Sequence, residues 1–283
     1  MVDFKVMTLL ARNNVFNGAI ILISLCFVFT MVGAYFAFEN YPYAVQDANS
    51  RAGGIMQALL GERISPESTV PFFTVLAAVI YSLVSMILIR HFFEQTQSPE
   101  ILFFALFVIS LSLEFARIII PLRIALEFPA MYVITAARIL LFARYLGLFA
   151  LFAASVYAAG LDAQRQQNAL FLISLAALFI AIQLPVDGTS WNSALMPWIG
   201  QQATFLMAEV VILIVTVLTF FISAYTRGSK AYAFIGIGTF FVFIGRNMLV
   251  SSDTWITPLP GLLLLTIGTY LIASRLRREY MWL

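Results

Sequence analysis

The sequence predicts an all-α integral membrane protein with about eight transmembrane helices, and three observations support this prediction. Of the 283 residues, 62% are hydrophobic and only 11% are charged. The mean hydropathy is +0.95. Long apolar stretches recur along the chain, separated by short polar segments. Soluble domains are about half apolar and a quarter charged, so a chain of this composition needs lipid as its solvent.

The spans follow from the need for about 20 mainly apolar residues to cross the hydrocarbon core. Eight segments meet this test, the fifth and eighth being the shortest, and seven is the alternative count. Pro121 is expected to end the third span. The predicted spans are 16–38, 71–92, 101–121, 132–158, 169–184, 204–224, 231–250 and 260–274.

The whole chain, 1–283, is predicted to be one polytopic domain with short segments outside the hydrocarbon core. Residues 1–15 mix apolar and charged side chains, which is typical of an amphipathic segment at the interface. Residues 39–70 are predicted to form the longest external loop and 185–202 a turn-rich, aromatic external cap. Residues 275–283 are predicted to form a cytoplasmic tail.

The distribution of basic residues predicts that both termini are cytoplasmic. With this orientation nine arginines and lysines fall on the cytoplasmic side and three (Arg51, Arg63 and Arg123) on the external side, as the positive-inside rule favours. The short loops and the absence of an N-x-S/T sequon lead us to expect the cytoplasmic membrane of a bacterium. The nine are Lys5, Arg12, Arg90, Arg165, Arg227, Lys230, Arg275, Arg277 and Arg278.

Cysteine and histidine usage excludes several chemistries. Cys26 and His91 are the only residues of their kinds, so an intramolecular disulfide, a bis-histidine haem and an H-E-x-x-H metal site are excluded. We expect no metal, no cofactor and no enzymatic activity. The net charge of +2 and the lack of a long basic run argue against nucleic acid as a partner.

Six charged residues lie at membrane depth within the predicted spans, away from the span ends, where they are costly and usually functional or paired. Under the predicted orientation all six lie in the external half of the bundle or at its midplane. Four arginines against two glutamates leave a formal excess of +2. The six are Glu114 and Arg117 in the third span, Arg138 and Arg144 in the fourth, Glu209 in the sixth and Arg246 in the seventh.

Helical spacing limits which of these side chains can meet. Glu114 and Arg117 are three residues apart and share a helix face. Arg138 and Arg144 are six apart and therefore point in different directions. We expect Arg138 to face the external polar cluster and Arg144 to find another partner, such as a backbone carbonyl or Tyr145. The predicted ligand-binding residues are Glu114, Arg117, Arg138, Glu209 and Arg246.

Two interpretations of this cluster are open. In the first, the charges form interhelical salt bridges that fix the helix register. In the second, surplus positive charge lines an external pocket that binds an anionic small molecule or a lipid headgroup. A proton path is disfavoured because the inner half offers no continuation. Close helix packing is also predicted where glycines repeat seven residues apart, at Gly238 and Gly245 and at Gly261 and Gly268.

For function, the sequence favours a sensor, a ligand-binding bundle or the membrane subunit of a complex. The architecture resembles the seven- or eight-helix sensory modules that precede output domains in bacterial receptors. No output domain follows Leu283 in this sequence, so a signal would pass to a separate protein at the cytoplasmic face. The alternative is a transporter or permease subunit, which a polar path through the inner half would favour.

Overall fold

The computed structural model describes residues 9–37, 69–94, 96, 98–200, 202–252 and 254–281. Within these residues, eight helical segments are long and apolar enough to cross a membrane, which confirms the all-α membrane fold. Almost all of the predicted loop 39–70 lies outside the described residues. Of the predicted interfacial segment, residues 9–15 are helical and run directly into the first span.

Each predicted span corresponds to one helical segment. Most segments begin or end a few residues beyond the predicted limits, and the first and fifth end one residue earlier than predicted. The helices are α1 (Leu9–Ala37), α2 (Val70–Phe92), α3 (Pro99–Ser112), α4 (Ile119–Leu126), α5 (Met131–Ala158), α6 (Gln166–Gln183), α7 (Gln202–Thr226), α8 (Lys230–Val250) and α9 (Pro258–Met281). A short 3-10 turn at Ala163–Arg165 precedes α6. The predicted cap between α6 and α7 contains an antiparallel hairpin, β1 (Val186–Trp191) and β2 (Pro197–Ile199).

The third span is interrupted, and the prediction that Pro121 ends it is wrong. Helices α3 and α4 are joined by a 3-10 segment, Leu113–Ile118, and together they form one span from Pro99 to Leu126. Proline lacks an N–H and crowds the carbonyl four residues earlier. In this chain that carbonyl belongs to Arg117, so the turn before Pro121 tightens and the helix then continues. It ends at Glu127, which has a left-handed φ of 52°.

Helix α5 lies at the centre of the bundle. It packs against α3, α4, α6, α7 and the strand β1. A large apolar core surrounds its C-terminal half and includes several fully buried phenylalanines. Among them are Phe16 from α1 and Phe103 and Phe107 from α3.

The closest helix pair is α8 with α9, as the glycine spacing predicts. A Cβ atom added to Gly245 would lie 2.6 Å from the Leu265 nitrogen and 2.7 Å from the Gly261 oxygen. On the facing helix, a Cβ on Gly268 would lie 2.6 Å from the Gly238 oxygen. The two backbones therefore touch directly, which only glycine permits.

The bundle has two chemically different ends. One end, here called the basic end, carries Arg12, Arg90, Arg227, Arg275 and Arg277. There Arg12 donates hydrogen bonds to the carbonyl oxygens of Phe93 (2.9 Å) and Glu94 (2.8 Å). The hairpin lies at the opposite end, here called the hairpin end.

We expect the basic end to face the cytoplasm. Single cysteines can test this in a Cys26→Ser background, because Asp162 is exposed at the basic end and Phe128 is exposed at the hairpin end. A membrane-impermeant maleimide added to intact cells is expected to label Phe128→Cys and not Asp162→Cys. The reverse labelling would invert the orientation.

Candidate functional site

The best-formed polar contact inside the bundle is a two-point ion pair between α5 and α7. Arg144 Nε lies 2.6 Å from Glu209 Oε1, and Arg144 Nη2 donates to Glu209 Oε2 at 2.7 Å. The Nη2 contact is a charge-assisted hydrogen bond, whereas the Nε contact is close but does not have hydrogen-bond geometry. The Glu209 side chain is 4% exposed and the Arg144 side chain is 23% exposed, so the carboxylate is the more deeply buried partner.

A second, longer ion pair lies next to the first. Arg246 Nη2 on α8 is 3.8 Å from Glu114 Oε1, and both residues are almost fully buried, with 3% and 2% of their side chains exposed. This distance is too long for a direct hydrogen bond. Among the described residues, no hydrogen-bond partner contacts Glu114 Oε2.

Arg246 joins the two pairs, because its Nη1 donates to the Arg144 carbonyl oxygen at 3.1 Å. Gly147 on α5 lies beside this contact and leaves space for Ser110 of α3. A Cβ on Gly147 would lie 2.5 Å from Ser110 Oγ and 3.5 Å from Arg246 Nη1. Glu114, Arg246, Arg144 and Glu209 therefore form one continuous set, here called the ion network. It has zero formal charge and connects the 3-10 segment to α8, α5 and α7.

Arg117 lies outside the ion network and connects the hairpin to the bundle. Its Nη1 donates to Thr74 Oγ1 on α2 at 3.3 Å, and its Nη2 donates to the Ala194 carbonyl oxygen in the hairpin turn. The hairpin is also held by apolar contacts of Trp191 and Leu195 with the helices beneath it. Although Glu114 and Arg117 are three residues apart, they contact different partners.

Arg138 also lies outside the ion network. Its Nη1 donates to the carbonyl oxygens of Ala181 (3.2 Å) and Ile182 (2.5 Å). These carbonyls lie in the last turn of α6, where backbone acceptors have no partner in the helix and the helix dipole favours a positive charge. The structure therefore reverses the expected assignment: Arg144 enters the cluster and Arg138 binds backbone carbonyls.

The +2 excess that the sequence shows is thus located on two arginines with backbone partners, Arg117 and Arg138. Of the five predicted ligand-binding residues, the structure brings together Glu114, Glu209 and Arg246. Arg144, which was missing from that set, is the link between them. The six-residue spacing correctly placed Arg138 and Arg144 on different sides of α5, but it could not show which side faces α7.

Replacing Arg138 with methionine is expected to loosen the end of α6 without disturbing the ion network. The change keeps much of the apolar side chain and removes the donor to the Ala181 and Ile182 carbonyls. The free energy of unfolding is expected to fall by about 1–2 kcal/mol, which is the cost of leaving helix-end groups without a partner. Hydrogen exchange should show faster exchange in the last two turns of α6, with unchanged protection in α7. Faster exchange across α7 as well would mean that Arg138 also supports the network.

These features define a polytopic α-helical membrane protein with a buried, charge-neutral ion network inside the helix bundle. In the part of the chain that the structure describes, no three His, Cys, Asp or Glu side chains are grouped to hold a metal ion. No protein-family model matches the chain, and no curated protein is significantly similar to it.

Proposed function

We propose that the protein is a non-enzymatic membrane bundle of the sensor or complex-subunit type, in which the ion network responds to an anionic group. The observation that carries this proposal is the inequality of the two ion pairs. Arg144 is held at two points by Glu209, whereas Arg246 is 3.8 Å from Glu114. An incoming carboxylate or phosphate competes more easily for Arg246 than for Arg144.

The burial of Arg246 gives this competition a structural consequence. Because Arg246 and Glu114 are almost fully buried, an anion reaches Arg246 only when α8 moves away from the 3-10 segment. A ligand that binds only the separated arrangement shifts the population toward it. Binding energy is thereby converted into helix movement, as a sensor requires.

A sensor or subunit is favoured over a transporter by the half of the bundle toward the basic end. There the described core is built from apolar side chains such as Phe103, Phe107 and Phe220. The buried hydroxyls of Ser155 and Thr239 donate to carbonyl oxygens of their own helices. Such a core supports helix packing more readily than a substrate path.

The ion pairs of the network disfavour an enzymatic function. Each glutamate of the ion network is paired with an arginine, so the two carboxylates do not form an acid–base pair with each other. We propose that the partner for signalling is a protein at the basic end, and that the protein resides in the cytoplasmic membrane of a bacterium.

The experiment that tests this proposal is anion binding to the purified full-length chain, using inorganic phosphate, citrate and phosphatidylglycerol as probes. Glu114→Gln removes the competitor of Arg246, and we expect it to bind the responsive anion about tenfold more tightly, which corresponds to about 1.4 kcal/mol. Arg246→Gln should lose binding. Arg275→Gln is the matched control, because Arg275 stacks on Phe234 at the basic end.

Calorimetry and thermal stability with each anion distinguish the outcomes. Tighter binding in Glu114→Gln with loss in Arg246→Gln supports an anion site at the network. If both variants are destabilised equally and no anion changes the thermal midpoint of either variant, the network is purely structural.

A further inference from the structure

A lipid-facing groove runs between α2 and α9. Its volume is about 560 Å³. Its sides are formed by Ile80, Val84 and Leu88 of α2 and by Leu262 and Ala273 of α9. The three α2 residues are exposed on the surface of the bundle, so the groove opens toward the hydrocarbon of the bilayer.

A contact between the two sides of the groove lies near each of its ends. At the hairpin end, the rings of Phe73 and Trp255 contact each other with centroids 5.0 Å apart. At the basic end, the Arg277 guanidinium lies 5.1 Å from the centroid of the Phe92 ring. Helices in contact have axes about 8–10 Å apart, and a helix with side chains is about 10–12 Å wide. A third helix therefore cannot enter between them, whereas a single hydrocarbon chain can.

The floor of the groove also favours an apolar occupant. The hydroxyl groups of Tyr81 and Thr269 bond to each other across the groove. Thr266 Oγ1 donates to the Leu263 carbonyl oxygen at 2.9 Å. These groups are satisfied within the protein, and the remaining lining is almost entirely carbon.

The basic end of the groove supplies a positive charge at the depth of a lipid headgroup. Arg277 and Arg278 are exposed in the last turns of α9. From Leu262 to Arg277 is 15 residues, or about 22 Å at 1.5 Å per residue, and one leaflet of the hydrocarbon core is about 15 Å deep. A chain lying in the groove would therefore place its phosphate beside Arg277. The nearby Glu94 carboxylate is paired with Arg90 at 2.9 Å.

We propose that this groove is a binding site for one anionic phospholipid, with an acyl chain between α2 and α9 and its phosphate on Arg277. The groove lies between α2 and α9 and contains no residue of the ion network, so the lipid site does not depend on the network. Basic pockets between transmembrane helices are a recurrent mode of anionic headgroup recognition. The hydrocarbon chain supplies the packing contacts that the two helices cannot make with each other.

The test is native mass spectrometry of the full-length protein released from bilayers containing equal amounts of phosphatidylglycerol and phosphatidylcholine. We expect the protein to retain one lipid and to prefer phosphatidylglycerol about fivefold. This ratio corresponds to the contribution of about 1 kcal/mol that one arginine makes to binding an anionic lipid. Arg277→Gln should remove the preference, and Val84→Trp should fill the groove and remove the retained lipid of either kind.

Two matched controls accompany these variants. Arg275→Gln removes a charge two residues away, at a position rotated about 200° around the helix, and should keep the preference. Ile214→Trp adds the same ring to an exposed position on α7 and should keep the lipid. The proposal is overturned if the wild type retains no lipid, if the preference persists in Arg277→Gln, or if Val84→Trp instead converts a dimer to a monomer.

Discussion

Replacing Glu209 with glutamine is expected to destabilise the bundle by about 3–5 kcal/mol, the usual cost of removing one partner from a buried ion pair. The Arg144 guanidinium would lose a carboxylate that contacts it at two points, at 2.6 and 2.7 Å. Because Arg246 donates to the Arg144 carbonyl oxygen, the destabilisation should extend to the contacts that α8 makes with the network. Reversible unfolding in mixed micelles, followed by far-UV circular dichroism, measures this change.

The matched control is Glu94→Gln. Glu94 pairs with Arg90 at 2.9 Å, but its side chain is 56% exposed, and exposed pairs contribute about 0–1 kcal/mol. The double variant Arg144→Leu with Glu209→Leu should be more stable than Glu209→Leu alone, since no buried charge is left without a partner. Equal losses for Glu209→Gln and Glu94→Gln would contradict a buried pair.

Adding one methyl group at Gly245 is expected to have an effect of similar size. The new Cβ would lie 2.6 Å from one backbone atom of α9 and 2.7 Å from another, and backbone atoms cannot move aside as side chains do. Overpacking costs about 1–3 kcal/mol and occasionally more, and we expect Gly245→Ala to reach the top of that range. The yield of folded protein and its thermal midpoint should both fall.

Gly18→Ala provides the control for this substitution. An added Cβ at Gly18 meets no atom within 4 Å, and alanine is the better helix former. Its stability should be unchanged or slightly higher. If Gly245→Ala behaves in the same way, α8 and α9 are farther apart than their backbone contacts indicate.

The sequence predicted the helices well because a bilayer imposes a length and a composition on each span. The repeated glycines also predicted close packing, since small residues are what such contacts require. The 3-10 segment was missed because Pro121 is compatible with either a helix end or a local tightening. The strands at 186–191 and 197–199 were missed because their residues are those of a turn-rich loop.

The ion network was predicted in part. The cost of burying charge identified its members, but helical spacing gives only the angle between two residues on one helix. It does not say which neighbour each of them faces. The spacing therefore correctly predicted that Arg138 and Arg144 face different neighbours. It did not predict which of them enters the ion network, and the two assignments were exchanged. That choice depends on the positions of α6 and α7 around α5, which are a property of the whole bundle.

The unequal lengths of the helices at the surface have a consequence for the surrounding bilayer. Helix α6 has 18 residues and only 11% of them are buried, whereas α1 has 29 residues and also exposes most of its length. At 1.5 Å per residue, α6 is about 27 Å long and the apolar part of α1, residues 16–37, is about 33 Å long. A mismatch with the hydrocarbon thickness costs a fraction of a kcal/mol per ångström. The membrane is therefore expected to be thinner beside α6 than beside α1, so that the protein imposes a thickness gradient on the lipids around it.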